Sequence, residues 1–332
     1  MEVGLATSSP VFDEFPDEPA SRFPHTSPPT FTNTAPTASA AASAQINAIS
    51  NSTLQVLSDL WTSVSEHGLS DALALASPRG ARLRDEMHHL AAKQKSERAQ
   101  LYADCPDYDD YMRCVQLDLL SPVHRRKVFE WNIELADMLK LSNQALLLGF
   151  AYFDRYLSLT PSRLTDLQLL STACMWAASK VCSTECPVAK ASQLATLFNG
   201  IEAGDVLRME MKLFSVLKWR VHPTMPYDIV HLVLPCLSCD HPALHLKLTQ
   251  LTENILLTVA LVYPMMKFDP LVLAVTAVAC ACELVAAVPL ETLGILGRLS
   301  ALVGADMQST EECIRMLRKH VRLDRLSPAK QE

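Results

Sequence analysis

The sequence predicts an all-α fold, built as two tandem five-helix bundles that follow a disordered N-terminal tail. Apolar residues recur three and four positions apart along several segments, which places each set on one face of a helix. Only 9 glycines and a charged fraction of 20% fit compact helices better than a loop-rich or strand-rich fold. With 332 residues, 49% of them hydrophobic, the chain has enough apolar material for two cores.

The first bundle, residues 121–222, has the clearest periodicity. Its helices are predicted near residues 122–139, 143–158, 164–181, 188–197 and 203–218. The apolar stripe of the first helix consists of Val128, Trp131, Leu135 and Met138. Ser121 and Pro122 predict its start, because Ser caps a helix and Pro suits the first helical position. Asn143 is the candidate cap of the second helix.

The N-terminal part of the chain has a different composition. Residues 1–50 are rich in Pro, Ser, Thr and Ala, and they cannot bury enough apolar surface to offset the entropy of ordering. Residues 51–120 form a helical extension, in which 81–102 are strongly charged and predict an exposed helix. We expect the part nearest the first bundle to dock on it.

The second bundle spans residues 223–323, and residues 324–332 form a tail. Residues 255–285 echo residues 145–181: each has an apolar helix, a short break and a helix rich in Ala and Cys. The echo lacks the charged residues of the first copy. We therefore expect a structural repeat without a charged surface.

Charge and hydropathy make two classes of function less favoured, nucleic-acid binding and membrane anchoring. A net charge of −7 and a pI near 5.8 give no basic field for nucleic acid. No secretory signal is recognisable, so the cysteines are expected to be reduced. Pro270 to Leu290 is about as long as a bilayer span, which leaves a membrane-anchored protein as an alternative. Because Glu283 interrupts this segment, we favour a buried bundle helix and expect no membrane contact.

Four charged residues interrupt the apolar helices of the first bundle: Arg125, Asp154, Lys180 and Glu210. A charge near a helix core is costly unless it is paired, so four of them require a reason. The set resembles the cyclin box, together with the neighbours Asp154-Arg155, Gln168-Leu169, Ala178-Ser179-Lys180 and Met209-Glu210. The lead-in 96–112 and the segment 217–230 are similar to those of D-type and plant-like cyclins.

This resemblance implies a regulatory subunit that binds and activates a cyclin-dependent protein kinase as a heterodimer in cell-cycle control. Lys180 and Glu210 would bind main-chain groups around the kinase's regulatory helix, although the two could instead pair only with each other. Arg125 and Asp154 would form a structural ion pair between the first two helices. Because no catalytic motif is present, we expect no enzyme activity and no catalytic residues.

The resemblance also implies a hydrophobic patch that docks substrates or inhibitors, here with Val128, Trp131 and Gln168. Residues 124–128 read HRRKV, so Val128 is the only apolar contributor from this run. The charges of Arg126 and Lys127 oppose a cationic docking motif. We therefore expect docking to be weak or altered.

Several further sites follow from short motifs. Ser9, Ser27 and Ser327 each precede a proline and are candidate phosphorylation sites. The spacing of Cys236, Cys239 and His241 is compatible with zinc, but Pro235 and Pro242 explain the segment as a loop. We expect no metal and no cofactor. A cyclin of a transcription or phosphate-signalling kinase remains an alternative; for either kind, nucleus and cytoplasm is the expected location.

Overall fold

The computed structural model describes residues 78–117, 119–182, 189–196, 201–237, 242–286 and 295–320. Within these ranges every regular element is a helix. The first seven are α1 (Pro78–Asp104), α2 (Tyr111–Cys114), α3 (Pro122–Leu139), α4 (Asn143–Leu159), α5 (Leu167–Cys182), α6 (Ala191–Ala195) and α7 (Ala203–Val216). The others are α8 (Pro226–Leu237), α9 (Pro242–Leu261), α10 (Pro270–Ala286), α11 (Leu296–Val303) and α12 (Met307–His320). Short 3-10 helices cover Tyr108–Asp110, Leu164–Asp166 and Tyr263–Lys267.

The all-α prediction with two five-helix bundles is confirmed: α3–α7 form the first and α8–α12 the second. The predicted tails, 1–50 and 324–332, lie outside the described residues, as does the first part of the 51–120 extension.

Helix α5 is the centre of the first bundle and packs on α3, α4 and α7. Its side chains are buried without interruption from Leu170 to Ser179. Small residues in this run let the neighbouring helices approach closely. At Gly149 of α4, an added Cβ would lie 2.6 Å from Met175 Sδ, so only glycine leaves the contact undisturbed.

Helix α10 has the corresponding place in the second bundle and packs on α8, α9, α11 and α12. Residues Ala274 to Cys282 are buried on every side, which explains why this segment reads as nearly continuous apolar sequence. Among the described helices, none combines the length and apolar character that crossing a bilayer requires.

The charged helix α1 lies across the junction of the two bundles. Near its start, Leu83 and Met87 are buried, and the helix packs on α8 and α11 of the second bundle. Near its end, Asp104 pairs with Lys218 and Arg220, in the linker (residues 217–225) between α7 and α8. The expected docking on the first bundle is therefore only part of its contact surface.

Two local predictions were wrong. On α3, Trp131 is half-buried and Met138 exposed, while Phe129 and Asn132 point inward. The buried face is rotated because Ser171 Oγ of α5 donates to Asn132 Oδ1 at 2.8 Å. Helix α4 is capped by Ser142, whose Oγ accepts from the Ala145 N–H at 3.2 Å, and not by Asn143.

Candidate functional site

Arg125 and Asp154 form a buried bidentate ion pair between α3 and α4. Arg125 Nε and Nη2 each donate at 2.7 Å, to Asp154 Oδ1 and Oδ2 respectively. The Tyr111 hydroxyl donates to Oδ1 of the same carboxylate at 2.8 Å. The Arg125 guanidinium also lies over the Phe129 ring, 4.1 Å from its centroid. The pair therefore joins α2, α3 and α4 at one buried point.

The titration of this cluster follows from its burial and its charges. Burial, followed by the negative charge of Asp154, raises the pKa of the Tyr111 hydroxyl well above its usual value. Burial alone would lower the pKa of Arg125, but the charge and hydrogen bonds of Asp154 more than offset this and raise it. The Arg125 guanidinium is thus held in its charged form at neutral pH.

Lys180 and Glu210 form a second ion pair between the end of α5 and the middle of α7, with Lys180 at the surface and Glu210 buried beneath it. Lys180 Nζ donates to Glu210 Oε2 at 2.7 Å; the Lys180 side chain is 37% exposed and that of Glu210 is 8% exposed. The ammonium group lies over the Trp176 ring, 3.2 Å from its centroid. Within the described residues, the buried Glu210 Oε1 has no hydrogen-bond partner. The carboxylate therefore has an unused acceptor directly behind the pair.

An exposed apolar ridge runs beside this pair. Leu207 and Met211 are both exposed and lie three positions before and one position after Glu210 on α7. Residues i, i+3 and i+4 share one face of a helix, so Leu207, Glu210 and Met211 form a single stripe. A charged pair beside an apolar ridge suits a protein-binding surface.

The residues of the expected docking patch lie on two helices. Val128 of α3 is buried in the core, whereas Trp131 of α3 and Gln168 of α5 are half-buried. Arg126, on the exposed side of α3, pairs with Glu130 at 3.0 Å. The surface here is therefore poor in apolar groups from the 124–128 run.

Sequence reasoning missed Trp176, which holds Lys180 in place. Its Nε1 donates to the Ala189 carbonyl at 2.7 Å, so the ring has a fixed orientation. The signal was present in the sequence, because a Trp four positions before a Lys on a helix places the two in contact. Tyr111 lies 43 positions from Asp154 and gave no comparable signal.

The remaining candidates fall largely beyond the described part of the chain. Ser9, Ser27 and Ser327 lie outside it, as do Cys239 and His241. Among the residues that are described, no group of three or more His, Cys, Asp or Glu side chains could hold a metal ion.

Comparison with known proteins identifies the first bundle. The family model described as "Cyclin, N-terminal domain" matches residues 91–222. G1/S-specific cyclin-D1 of Bos taurus is 34% identical over 135 residues, which cover 40% of this chain and 45% of the relative. G1/S-specific cyclin-D2 of Gallus gallus is 32% identical over 124 residues, which cover 37% and 42%. The matches thus span under half the length of these relatives.

A solved structure supports the fold over a longer stretch. The viral cyclin from herpesvirus saimiri superposes with a TM-score of 0.52 at 16% identity, covering 61% of this chain and 86% of the viral chain. Residues 91–222 therefore form a domain of the cyclin N-terminal type, and the fold of the longer stretch is cyclin-like. The relatives described above are D-type cyclins, and it is this group that the chain resembles. Cyclins are regulatory subunits of kinases and not themselves enzymes.

Proposed function

We propose that this protein binds and activates a cyclin-dependent protein kinase and thereby controls cell-cycle progression. The observation that carries the proposal is the Lys180–Glu210 pair, which lies at the surface inside the region that matches the cyclin N-terminal domain. The word "G1/S-specific" in the names of the D-type relatives favours action at that transition. A location in nucleus and cytoplasm is part of the proposal.

The pair has the hydrogen-bonding capacity that a main-chain contact needs. The Lys180 ammonium carries three donors, and Glu210 Oε1 is an acceptor without a partner in the described structure. When Lys180 swings outward, it can donate to a carbonyl of the kinase while Glu210 accepts from an N–H. Charge-assisted bonds to backbone groups fix position without demanding a particular partner side chain.

The apolar ridge supplies the other part of the interface. Leu207 and Met211 are exposed in the free chain, and burying them against the kinase removes apolar surface from water. In such interfaces the apolar core contributes most of the affinity, while charged groups set register and specificity. The ion pair would therefore orient the kinase and the ridge would hold it.

Activation follows as an allosteric effect. In a protein kinase, a Glu of the regulatory helix must pair with the Lys that positions ATP. A subunit that binds only the inward position of that helix shifts the kinase toward its active arrangement. No residue of this chain needs to touch the substrate.

The test is a pull-down of the full chain against the organism's cyclin-dependent kinases, with histone phosphorylation as the activity readout. Wild type is compared with the double variant Lys180→Ala, Glu210→Ala. A control is Lys267→Ala, Glu312→Ala, which removes a Lys–Glu pair of the second bundle. Its nitrogen–oxygen distance is 2.5 Å, and its Lys side chain, at 38% exposed, is similar in exposure to Lys180.

We expect wild type and the control to retain a kinase and activate it, and the Lys180–Glu210 variant to lose both. Retention of full activation by a folded Lys180–Glu210 variant would overturn the proposed interface. Because transcription and phosphate-signalling kinases are included in the panel, the retained kinase also decides between the cell-cycle function and the alternative cyclin classes. Docking through Val128, Trp131 and Gln168 is proposed to contribute little.

A further inference from the structure

A large cavity lies at the junction of the two bundles. Its volume is about 510 Å³, and it is enclosed by α1, α4, the linker, α9 and the start of α10. Most of its wall is apolar, with the side chains Leu147, Phe150, Val259, Met265, Met266 and Leu273. This volume falls within the range of roughly 300–1,000 Å³ that is usual for small-molecule sites. The cavity does not overlap the Lys180–Glu210 face.

Four arginines line the cavity, and one of them differs from the others. Three have carboxylate partners, in the pairs Arg98–Asp269, Arg125–Asp154 and Arg220–Asp104. Arg155 of α4 donates from Nη1 to the Arg220 carbonyl at 2.9 Å, and no carboxylate of the described residues lies within ion-pair distance of it. Glu97, a lining carboxylate, instead accepts the Thr224 N–H at 2.8 Å.

Arg155 is thus a half-buried cation that has no ion-pair partner among the described residues, although the charge of Glu97 acts on it from a longer distance. Burial lowers the pKa of its guanidinium, although an arginine stays protonated at neutral pH. A charge that is partly removed from water is costly unless it is paired, and an anionic group in the cavity would provide a direct partner.

Two further groups in the wall have unused hydrogen-bonding capacity. Within the described residues, Thr224 Oγ1 and Arg125 Nη1 are buried and have no hydrogen-bond partner. Buried polar atoms are normally satisfied, by protein or by a bound molecule. Both can donate to an oxygen of a ligand.

The mouth of the cavity carries an exposed tryptophan on strained backbone. Lys218 and Trp219 have φ angles of +53° and +58°, a conformation that non-glycine residues rarely adopt. Trp219 lines the cavity and stacks on Phe214, with ring centroids 5.1 Å apart. Such strain tends to occur at ligand-binding segments.

We propose that the junction cavity binds a small molecule that has an apolar body and a single carboxylate, and that Arg155 binds the carboxylate. The apolar wall accepts the body of the ligand, and the unpaired guanidinium offers a bidentate partner for the head group. A cationic ligand would be repelled by the guanidinium of Arg155 and should bind more weakly.

The first test uses decanoate as the probe and the full chain labelled with ¹³C at its methionine methyl groups. Met225, Met265 and Met266 line the cavity, whereas Met138, Met211 and Met307 are exposed elsewhere and serve as internal controls. We expect saturable shifts of the first three resonances with a single dissociation constant, and no shift of the controls. Shifts of equal size at all six methyls, or no saturation, would overturn the proposal.

Variants then separate the head-group contact from the cavity. Arg155→Met should weaken decanoate binding at least tenfold, and Arg155→Lys should recover part of it. Arg126→Met makes the same change at an exposed site and should leave binding unchanged. Ala260→Phe fills the cavity while leaving Arg155 in place, and should abolish binding.

Decanol provides a control that needs no mutation. It has the same chain without the charge, so it should bind at least tenfold more weakly than decanoate. Equal affinities for decanol and decanoate, or for wild type and a folded Arg155→Met, would show that Arg155 recognises no carboxylate and would refute the assignment.

Discussion

Arg125 can lie in the core because Asp154 neutralises it through two hydrogen bonds. Both side chains are buried, and Phe129 and Tyr263 lie on the guanidinium at 4.1 and 5.7 Å from their ring centroids. Replacing one member leaves the other as a buried, uncompensated charge, whereas replacing both leaves none. The pair is therefore best understood as a unit whose halves depend on each other.

We predict that Arg125→Met lowers the free energy of unfolding by about 3–5 kcal/mol, because Asp154 would keep only the hydroxyl of Tyr111. The double variant Arg125→Met, Asp154→Leu should lose much less than the sum of the two single variants. Urea unfolding at neutral pH measures both. As a control, Arg126→Met breaks an exposed pair and should lower the free energy of unfolding by less than about 1 kcal/mol. If the losses from the two single variants of the buried pair simply add in the double variant, the prediction is contradicted.

At the scale of the helix, the periodicity of apolar residues predicted where each helix lies along the chain, but it did not always predict which face of the helix is buried. Helix α3 begins and ends at its predicted residues, 122 and 139. Its buried face nevertheless includes Asn132 in place of Met138, because the hydrogen bond from Ser171 holds the amide inside. A polar residue with a distant partner looks like an exposed one in the sequence.

The same limit applies to the site. The residues Arg125, Asp154, Lys180 and Glu210 could be identified from sequence, since charges inside apolar helices are conspicuous. Within the described residues, the unused acceptor of Glu210 and the absence of an ion-pair partner for Arg155 depend on neighbours that are distant in sequence. Local patterns carry no information about either, because tertiary packing alone decides which partners are within reach.

The end of α3 gives a prediction about the backbone. Lys140 follows the helix with φ +54°, and the Leu141 N–H donates to the Ala136 carbonyl at 2.9 Å, which closes the last turn. A side chain is strained in this left-handed conformation and glycine is not. We predict that Lys140→Gly is more stable than Lys140→Ala by about 1 kcal/mol in urea unfolding; equal stabilities would show that no strain is relieved.

For the whole molecule, the two bundles share one continuous apolar core. At the edge of this core, polar side chains of α4, α8 and α9 form a set of hydrogen bonds between the bundles, the polar joint. Glu253 of α9 accepts from Asn143 Nδ2 of α4 at 2.6 Å and contacts His231 Nε2 of α8 at 2.9 Å. Gln144 Nε2 of α4 also donates to Asp228 Oδ1 of α8, at 3.1 Å. The relative placement of the bundles thus depends partly on a carboxylate.

This joint should weaken in acid. Burial alone would raise the pKa of Glu253, but hydrogen bonds from His231 and Asn143 outweigh burial and hold it below its ordinary value of 4.5. A depressed pKa in the folded state means that the stabilisation is complete above the unfolded pKa and is lost as the pH falls through the folded one.

We therefore predict that Glu253→Gln is less stable than wild type at about pH 6, and that the difference shrinks as the pH falls below about 4.5. Urea unfolding at a series of pH values measures it, under conditions in which wild type remains folded. A difference that stays constant over this range would show that the ionised carboxylate is not what stabilises the joint.

The central claim, that the face formed by α5 and α7 binds a kinase, can be tested by photo-cross-linking. A benzoylphenylalanine is placed at Met211, which is 57% exposed beside Glu210, or at Leu246 of the second bundle, which is 59% exposed. Each variant is irradiated with the kinase found in the pull-down. The proposal predicts a cross-link to the kinase from position 211 and none from position 246; the reverse pattern would contradict it.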